Sequence, residues 1–269
     1  MSAIDKLFKS LRSEKRKALM PFITAGDPDL AFTAAILKEV IGRGSHLCEV
    51  GIPYSDPIAD GPVIQASYTR ALAHKIKLGD ILKTLGEVSS QATAPLVTMV
   101  SYAIVYRHGL EKYADEAAAR GLAGLIVPDL PVEESAQLAA ICTKRDLSLI
   151  QLVTPTTPRD RAVHIAETST GFLYYVSIAG ITGERTALPA ELVDNVGWLR
   201  TQTELPICIG FGISKPEHIK LLSPVADGLI VGSAIVRRIA AATEKPREQV
   251  VREVGEYVAE LLAALKSDK

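Results

Sequence analysis

Along this chain short apolar runs alternate with longer amphipathic stretches, and the alternation repeats almost without interruption. The runs at 18–23, 47–52, 95–102, 124–130, 147–154, 171–178, 206–211 and 228–232 are mostly aliphatic. Each is closed by glycine, proline or a polar turn, which predicts strands. Between them, 30–41, 63–72, 80–89, 110–120, 132–145, 159–168, 192–203 and 216–222 read as helices. Gly42 and Gly44 end the first of these, Gly121 ends the fourth, and Pro158 sits at a first-turn position that tolerates proline. Ile4, Leu7, Phe8 and Leu11 mark a short amphipathic helix before the first strand, and 247–265 a long one after the last.

Strands alternating with helices over 269 residues predict an α/β fold, a closed (β/α)8 or TIM barrel with extra N-terminal and C-terminal helices. A doubly wound open sheet is the second choice, because buried parallel strands read alike in both. No linker-like composition divides the chain, so residues 1–269 are expected to form a single domain. Composition agrees. With 48% apolar but only 5% aromatic residues, the core must be built from Ala, Val, Ile and Leu, which suits parallel strands covered by helices. The net charge of −1, with Lys and Arg scattered, argues against a nucleic-acid or membrane partner. Cys48, Cys142 and Cys208 lack metal-ligand spacing and read as small core residues in a reducing compartment. With no hydrophobic signal region and no run of transmembrane length, the expected location is cytoplasmic.

The second strand departs from the aliphatic pattern. Glu49 lies inside it, and Asp56 and Asp60 follow in the turn-rich loop before Pro62 opens a helix. A carboxylate in a strand buried on both faces is costly unless it is paired, protonated or used. A second one just beyond the strand's C-terminal end is how a barrel assembles an acid–base pair. The alternative is an exposed strand edge followed by ordinary turn residues. On the closed-barrel reading the strand ends bring Phe22 and Thr24, Glu49, Tyr102, Asp129, Thr154, Tyr174 or Tyr175, Phe211, Gly232 and Ser233 to one face. Packing alone does not explain that gathering.

At the seventh and eighth strand ends stand Gly210-Phe211-Gly212 and Gly232-Ser233, and Gly183 lies in the loop after strand six. Glycines there let backbone amides approach an anion, which points to a phosphate site and a small phosphorylated substrate. The competing reading is that they only make tight turns. The 178–186 loop, with two glycines and Thr182, is a candidate lid. The five histidines show no metal-ligand spacing, so no metal is expected, and Trp198 reads as a packing residue.

The segments PFITAGDPD, CEVGIPYSDPIADGPVIQ, VPDLPVEE, GITG, GFGIS and DGLIVGSAIV, in this order and over nearly the whole chain, resemble the tryptophan synthase alpha subunit family. That resemblance implies a TIM-barrel lyase. It would cleave indole-3-glycerol phosphate to indole and glyceraldehyde 3-phosphate and pass the indole to a beta subunit. It implies Glu49 and Asp60 as the catalytic carboxylates. Phe22, Tyr102, Asp129, Tyr174, Thr182 and Phe211 would contact the substrate, with Tyr175 a one-residue alternative to Tyr174. Gly183, Gly210, Gly212, Gly232 and Ser233 would hold the phosphate. Pro53, Asp56 and Pro57, in the loop that carries Asp60, would meet the beta subunit, in an alpha2-beta2 tetramer. No cofactor is implied in this chain; pyridoxal phosphate (PLP) belongs to the partner. Some relatives carry an arginine in the lid before its first glycine, where this chain reads Ser177-Ile178-Ala179. Two other classes compete: a sugar-phosphate isomerase or epimerase on the same barrel, and a barrel that only binds and activates its partner.

Overall fold

The protein is described by a computed structural model covering residues 1–57, 60–177, 190–210 and 212–266. The strands are β1 (Ala18–Thr24), β2 (Cys48–Gly51), β3 (Leu96–Met99), β4 (Gly124–Ile126), β5 (Ser148–Ile150), β6 (Leu152–Val153), β7 (Leu173–Val176), β8 (Ile207–Gly210) and β9 (Gly228–Val231). The helices are α1 (Ala3–Ser13), α2 (Leu30–Gly42), α3 (Pro62–Ala73), α4 (Leu78–Ser89), α5 (Tyr102–His108) and α6 (Leu110–Ala119), then α7 (Ala136–Thr143), α8 (Arg159–Thr168), α9 (Ala190–Arg200), α10 (Pro216–Leu222), α11 (Ser233–Ala240) and α12 (Arg247–Lys266).

Every strand pairing is parallel, in the order β5-β4-β3-β2-β1-β9-β8-β7-β6. The two ends of that order are one strand. β5 pairs with β4 and β6 with β7, and the chain passes from one to the other through Gln151, whose carbonyl still accepts the Tyr174 N–H at 3.0 Å. The sheet therefore closes through its own fifth strand, giving the eight-stranded α/β barrel that the alternation predicts.

Alternate strand residues face opposite sides. Cys48 and Val50 pack outward against the helices, in one cluster with Ile36, Leu37 and Val40 of α2. Leu47, Met20, Val97, Ile126, Ile150 and Ile230 fill the barrel interior. Ile4, Phe8 and Leu11 of α1 join that inner cluster, so the N-terminal helix plugs one end of the barrel. The helix is fixed by a capping box between Ser2 and Asp5. Each such aliphatic burial stabilises by about 1.5–3 kcal/mol.

Several expected elements differ; the strand expected over 124–130, for one, stops at Ile126. The run 95–102 stops as a strand at Met99, and Tyr102 begins α5, with Ser101 as its cap. The stretch 132–145 is a 3-10 turn, Val132–Glu134, followed by α7; the Ser135 hydroxyl donates to the Val132 carbonyl at 2.8 Å where they meet. No helix among the described residues is long and apolar enough to cross a membrane.

Candidate active site

Because Cys48 and Val50 point outward, Glu49 between them points into the barrel. The register places Phe22, Glu49, Val97 and Gly124 side by side. Glu49 is fully buried, and neither carboxylate oxygen has a hydrogen-bond partner. Burial without compensation pushes its carboxyl up to about 8, so the neutral acid is the form at neutral pH. Two residues further along β2, Gly51 is required for space: a Cβ there would stand 2.7 Å from the Tyr68 hydroxyl and would meet the Phe22 ring.

Asp60 is half-buried at the mouth, and burial raises its carboxyl to about 6. Its loop is pinned from α3, where the Gln65 amide donates to the Asp60 carbonyl at 2.8 Å and the Pro57 carbonyl at 3.3 Å. The helix is itself locked to the end of β1. Thr24 and Ser67 share a buried hydroxyl pair at 2.6 Å, and Arg70 clasps Asp27 through bonds of 2.9 and 2.7 Å. The two carboxylates thus sit in different environments, the more buried one holding its proton at the higher pH.

Asp60, Phe22, Tyr174, Gly212, Gly232 and Ser233 line one cavity of about 130 Å³. Asp60 also lines a neighbouring cavity of about 420 Å³, with Asp56, Pro57, Tyr68 and Asp129. Tyr174 faces the interior, beside Phe172 and Cys208, and Gly210 makes room for it: a Cβ there would stand 2.7 Å from the phenol carbon Cζ. Tyr175 faces outward, taking a bond from Asn195 at 3.4 Å. Gly212, Gly232 and Ser233, three of the residues expected to hold a phosphate, line the smaller cavity together. Gly212 has a φ of 78°, and Gly232 leads directly into α11, where Ser233 is the first residue.

Other expected residues fall differently. Asp129 lines the larger cavity, but both its oxygens are occupied, one by the Ser101 hydroxyl and one by the Tyr102 N–H, each at 2.7 Å. The Tyr102 ring packs against the exposed Tyr106 at 5.9 Å. In the outer loop Asp56 is exposed, Pro57 is half-buried and Pro53 is buried. Thr182, Gly183 and Phe211, and with them the candidate lid, lie outside the described residues. Among the described residues no three His, Cys, Asp or Glu side chains gather as a metal site.

The sequence profile of the tryptophan synthase alpha chain family matches residues 8–266. The chain belongs to that family. A tryptophan synthase alpha chain from Rhodopirellula baltica is 58% identical, covering 98% of this chain and 99% of its own length. Another, from Rippkaea orientalis, is 43% identical with both chains fully covered. The crystal structure of the alpha chain from Legionella pneumophila superposes with a TM-score of 0.89 at 32% identity, over 100% of this chain and 98% of that one. A chain of the aminoacrylate-bound tryptophan synthase from M. tuberculosis superposes at 0.87 and 30% identity, over 99% and 100%.

Within this tryptophan synthase alpha chain fold, two residues at the site were not anticipated from the sequence. Tyr68 is buried, and its hydroxyl lies against Gly51 in the cavity it shares with Asp60. Burial, then Asp60 and Glu49, push the phenol up, so it keeps its proton at neutral pH. The available signal was Ile64, which lines the smaller cavity one helical turn away on the same face. Gln65 acts only through a loop backbone, and no spacing rule marks such a contact.

Proposed function

We propose that this protein carries out the alpha reaction of tryptophan synthase, cleaving indole-3-glycerol phosphate to indole and glyceraldehyde 3-phosphate. The observation that carries the assignment is Glu49: a fully buried carboxyl facing into the barrel with no partner at either oxygen, while Asp60, Gly212 and Gly232 line one cavity of the same barrel.

The bond to be broken joins indole C3 to the carbinol carbon of the glycerol chain, so C3 must become tetrahedral first. Glu49 donates its proton to C3. The ring becomes an indolenine cation, and Asp60, ionised, accepts the ring N–H and stabilises that charge. Glu49, now anionic, removes the proton from the hydroxyl on the neighbouring carbon. The O–H electrons form the aldehyde carbonyl, the C–C bond breaks, and its electrons restore the aromatic ring. Glu49 ends protonated, as it began.

In this reading Phe22, Tyr102, Asp129, Tyr174 and Phe211 contact the substrate, with Thr182 over it. The amides of Gly183, Gly210, Gly212 and Gly232 and the Ser233 hydroxyl hold the phosphate. Asp129 acts in part indirectly, since capping α5 orients Tyr102. Pro53, Asp56 and Pro57 belong to the face that meets the beta subunit. Because Asp60 shares that loop, docking positions the catalytic carboxylate. Residues 1–269 work as a single domain in a cytoplasmic alpha2-beta2 assembly. This chain uses no cofactor, and PLP serves the beta subunit's joining of indole to serine.

The test is indole release from indole-3-glycerol phosphate by the purified chain, with and without its beta subunit. Slow release alone and faster release in the complex are expected. No release in either condition would overturn the assignment. Equal release in both would make the chain a free-standing indole-producing lyase.

A further inference from the structure

Behind the phosphate cradle, away from the cavity, three side chains connect the two elements that form it. The loop after β8 carries Gly212, and two residues on, Ser214 is held at both backbone groups. Its N–H donates to Nδ1 of His218 on α10 at 3.3 Å, and its carbonyl accepts the Tyr257 hydroxyl from α12 at 3.0 Å. His218 is buried, and desolvation lowers its pKa, which favours the neutral ring that can accept that N–H. The second element, Gly232-Ser233 leading into α11, carries Arg238 one turn and a half further on. The Arg238 guanidinium lies over the Tyr257 ring, 3.4 Å from its centroid, and donates back to the Ala234 carbonyl at 2.8 Å.

Tyr257 is itself buried, so its hydroxyl requires a partner, and in this fold the partner is the Ser214 carbonyl in the loop that follows Gly212. We propose that Tyr257 is a positioning residue that sets the width of the phosphate grip, tying the Gly212 loop on one side to the Gly232 helix on the other. It touches no substrate atom. It holds two sets of amides at a fixed separation, so that an anion entering between them meets donors already aimed at it, without the entropy cost of gathering them. The inference rests on the phosphate reading of these glycines. It adds that the grip is set from α12, the C-terminal helix packed outside the barrel.

The experiment uses the full chain in complex with its beta subunit and the variant Tyr257→Phe, which keeps the ring under Arg238 and removes only the hydroxyl. Loosening one wall of the grip should raise KM for indole-3-glycerol phosphate, and the Kd of the probe glycerol 3-phosphate, by about two- to tenfold. The kcat should stay within about twofold, and the Kd of indole, which has no phosphate, should not move. Arg238→Met, which removes the cation but keeps bulk, should shift glycerol 3-phosphate in the same direction by less. A Tyr257→Phe enzyme whose indole and glycerol 3-phosphate affinities fall together, or whose kcat falls at unchanged KM, overturns the proposal. Gly232→Val separates the two ways of failing. If it weakens glycerol 3-phosphate while Tyr257→Phe does not, the phosphate site stands and the tie is wrong. If neither substitution matters, the phosphate site lies elsewhere and the tie falls with it.

Discussion

The two ends of this barrel treat a buried carboxylate in opposite ways. At the N-terminal end, Asp227 is buried and paired through its Oδ2. It accepts the Ile207 N–H at 2.9 Å and faces Arg200 at 3.1 Å and Arg12 of the plugging helix at 3.7 Å. Toward the other end, Glu49 is more deeply buried still and has no hydrogen-bond partner at either oxygen. A paired charge at a sealed end serves the fold, whereas an unpaired acid buried inside the barrel burdens the fold, which is what the proposed chemistry would require of it. The comparison explains why a barrel can be stable and reactive at once: the two demands are met at opposite ends of the same strands.

The largest expected effect comes from breaking the reactive end. Glu49→Gln and Asp60→Asn should each reduce kcat for indole production by at least about 10²–10⁴-fold, with circular dichroism and melting temperature close to the parent. Loss of fold in either variant would mean that these side chains serve the scaffold after all. Breaking the sealed end should do the reverse. Asp227→Ala strands the buried Ile207 N–H and removes the charge that faces Arg200 and Arg12. It should cost about 2 kcal/mol, read as a melting temperature lower by about 5 °C, while kcat in the folded protein stays near normal. A smaller effect sharpens the reactive end through pH. Asp60 must be ionised and Glu49 protonated, so kcat/KM should fall as pH drops below about 6 and fall again as it rises above about 8. A profile flat across that range would remove the division of labour between the two carboxylates.

Much of this contrast is legible in the residues themselves. Glu49 is conspicuous because it interrupts an aliphatic strand, and the strand period alone directs it inward once Cys48 and Val50 are taken as outward. The strand and helix alternation carries the barrel, and 159–168 and 216–222 match α8 and α10 residue for residue. What is not legible depends on contacts between distant segments. Tyr102 looks like the end of an apolar strand, yet an aspartate 27 positions away caps it into a helix. Asp129 looks like a free pocket carboxylate for the same reason. Gln151 interrupts the fifth strand at the place where the sheet must turn from β4 to β7. The Tyr174–Tyr175 ambiguity is one of strand register, which only the neighbouring strands resolve, and they place Tyr174 opposite Cys208 in the interior.

The claim on which the rest depends is that Glu49 keeps its proton at neutral pH, and it can be measured without substrate. Carbon NMR of the protein labelled at glutamate carboxyls, with Glu49→Gln to assign the signal, follows that one group through its titration. The account predicts a carboxyl still protonated at pH 7 that ionises near pH 8. A Glu49 signal already ionised by pH 5, near its ordinary value of 4.5, would contradict it.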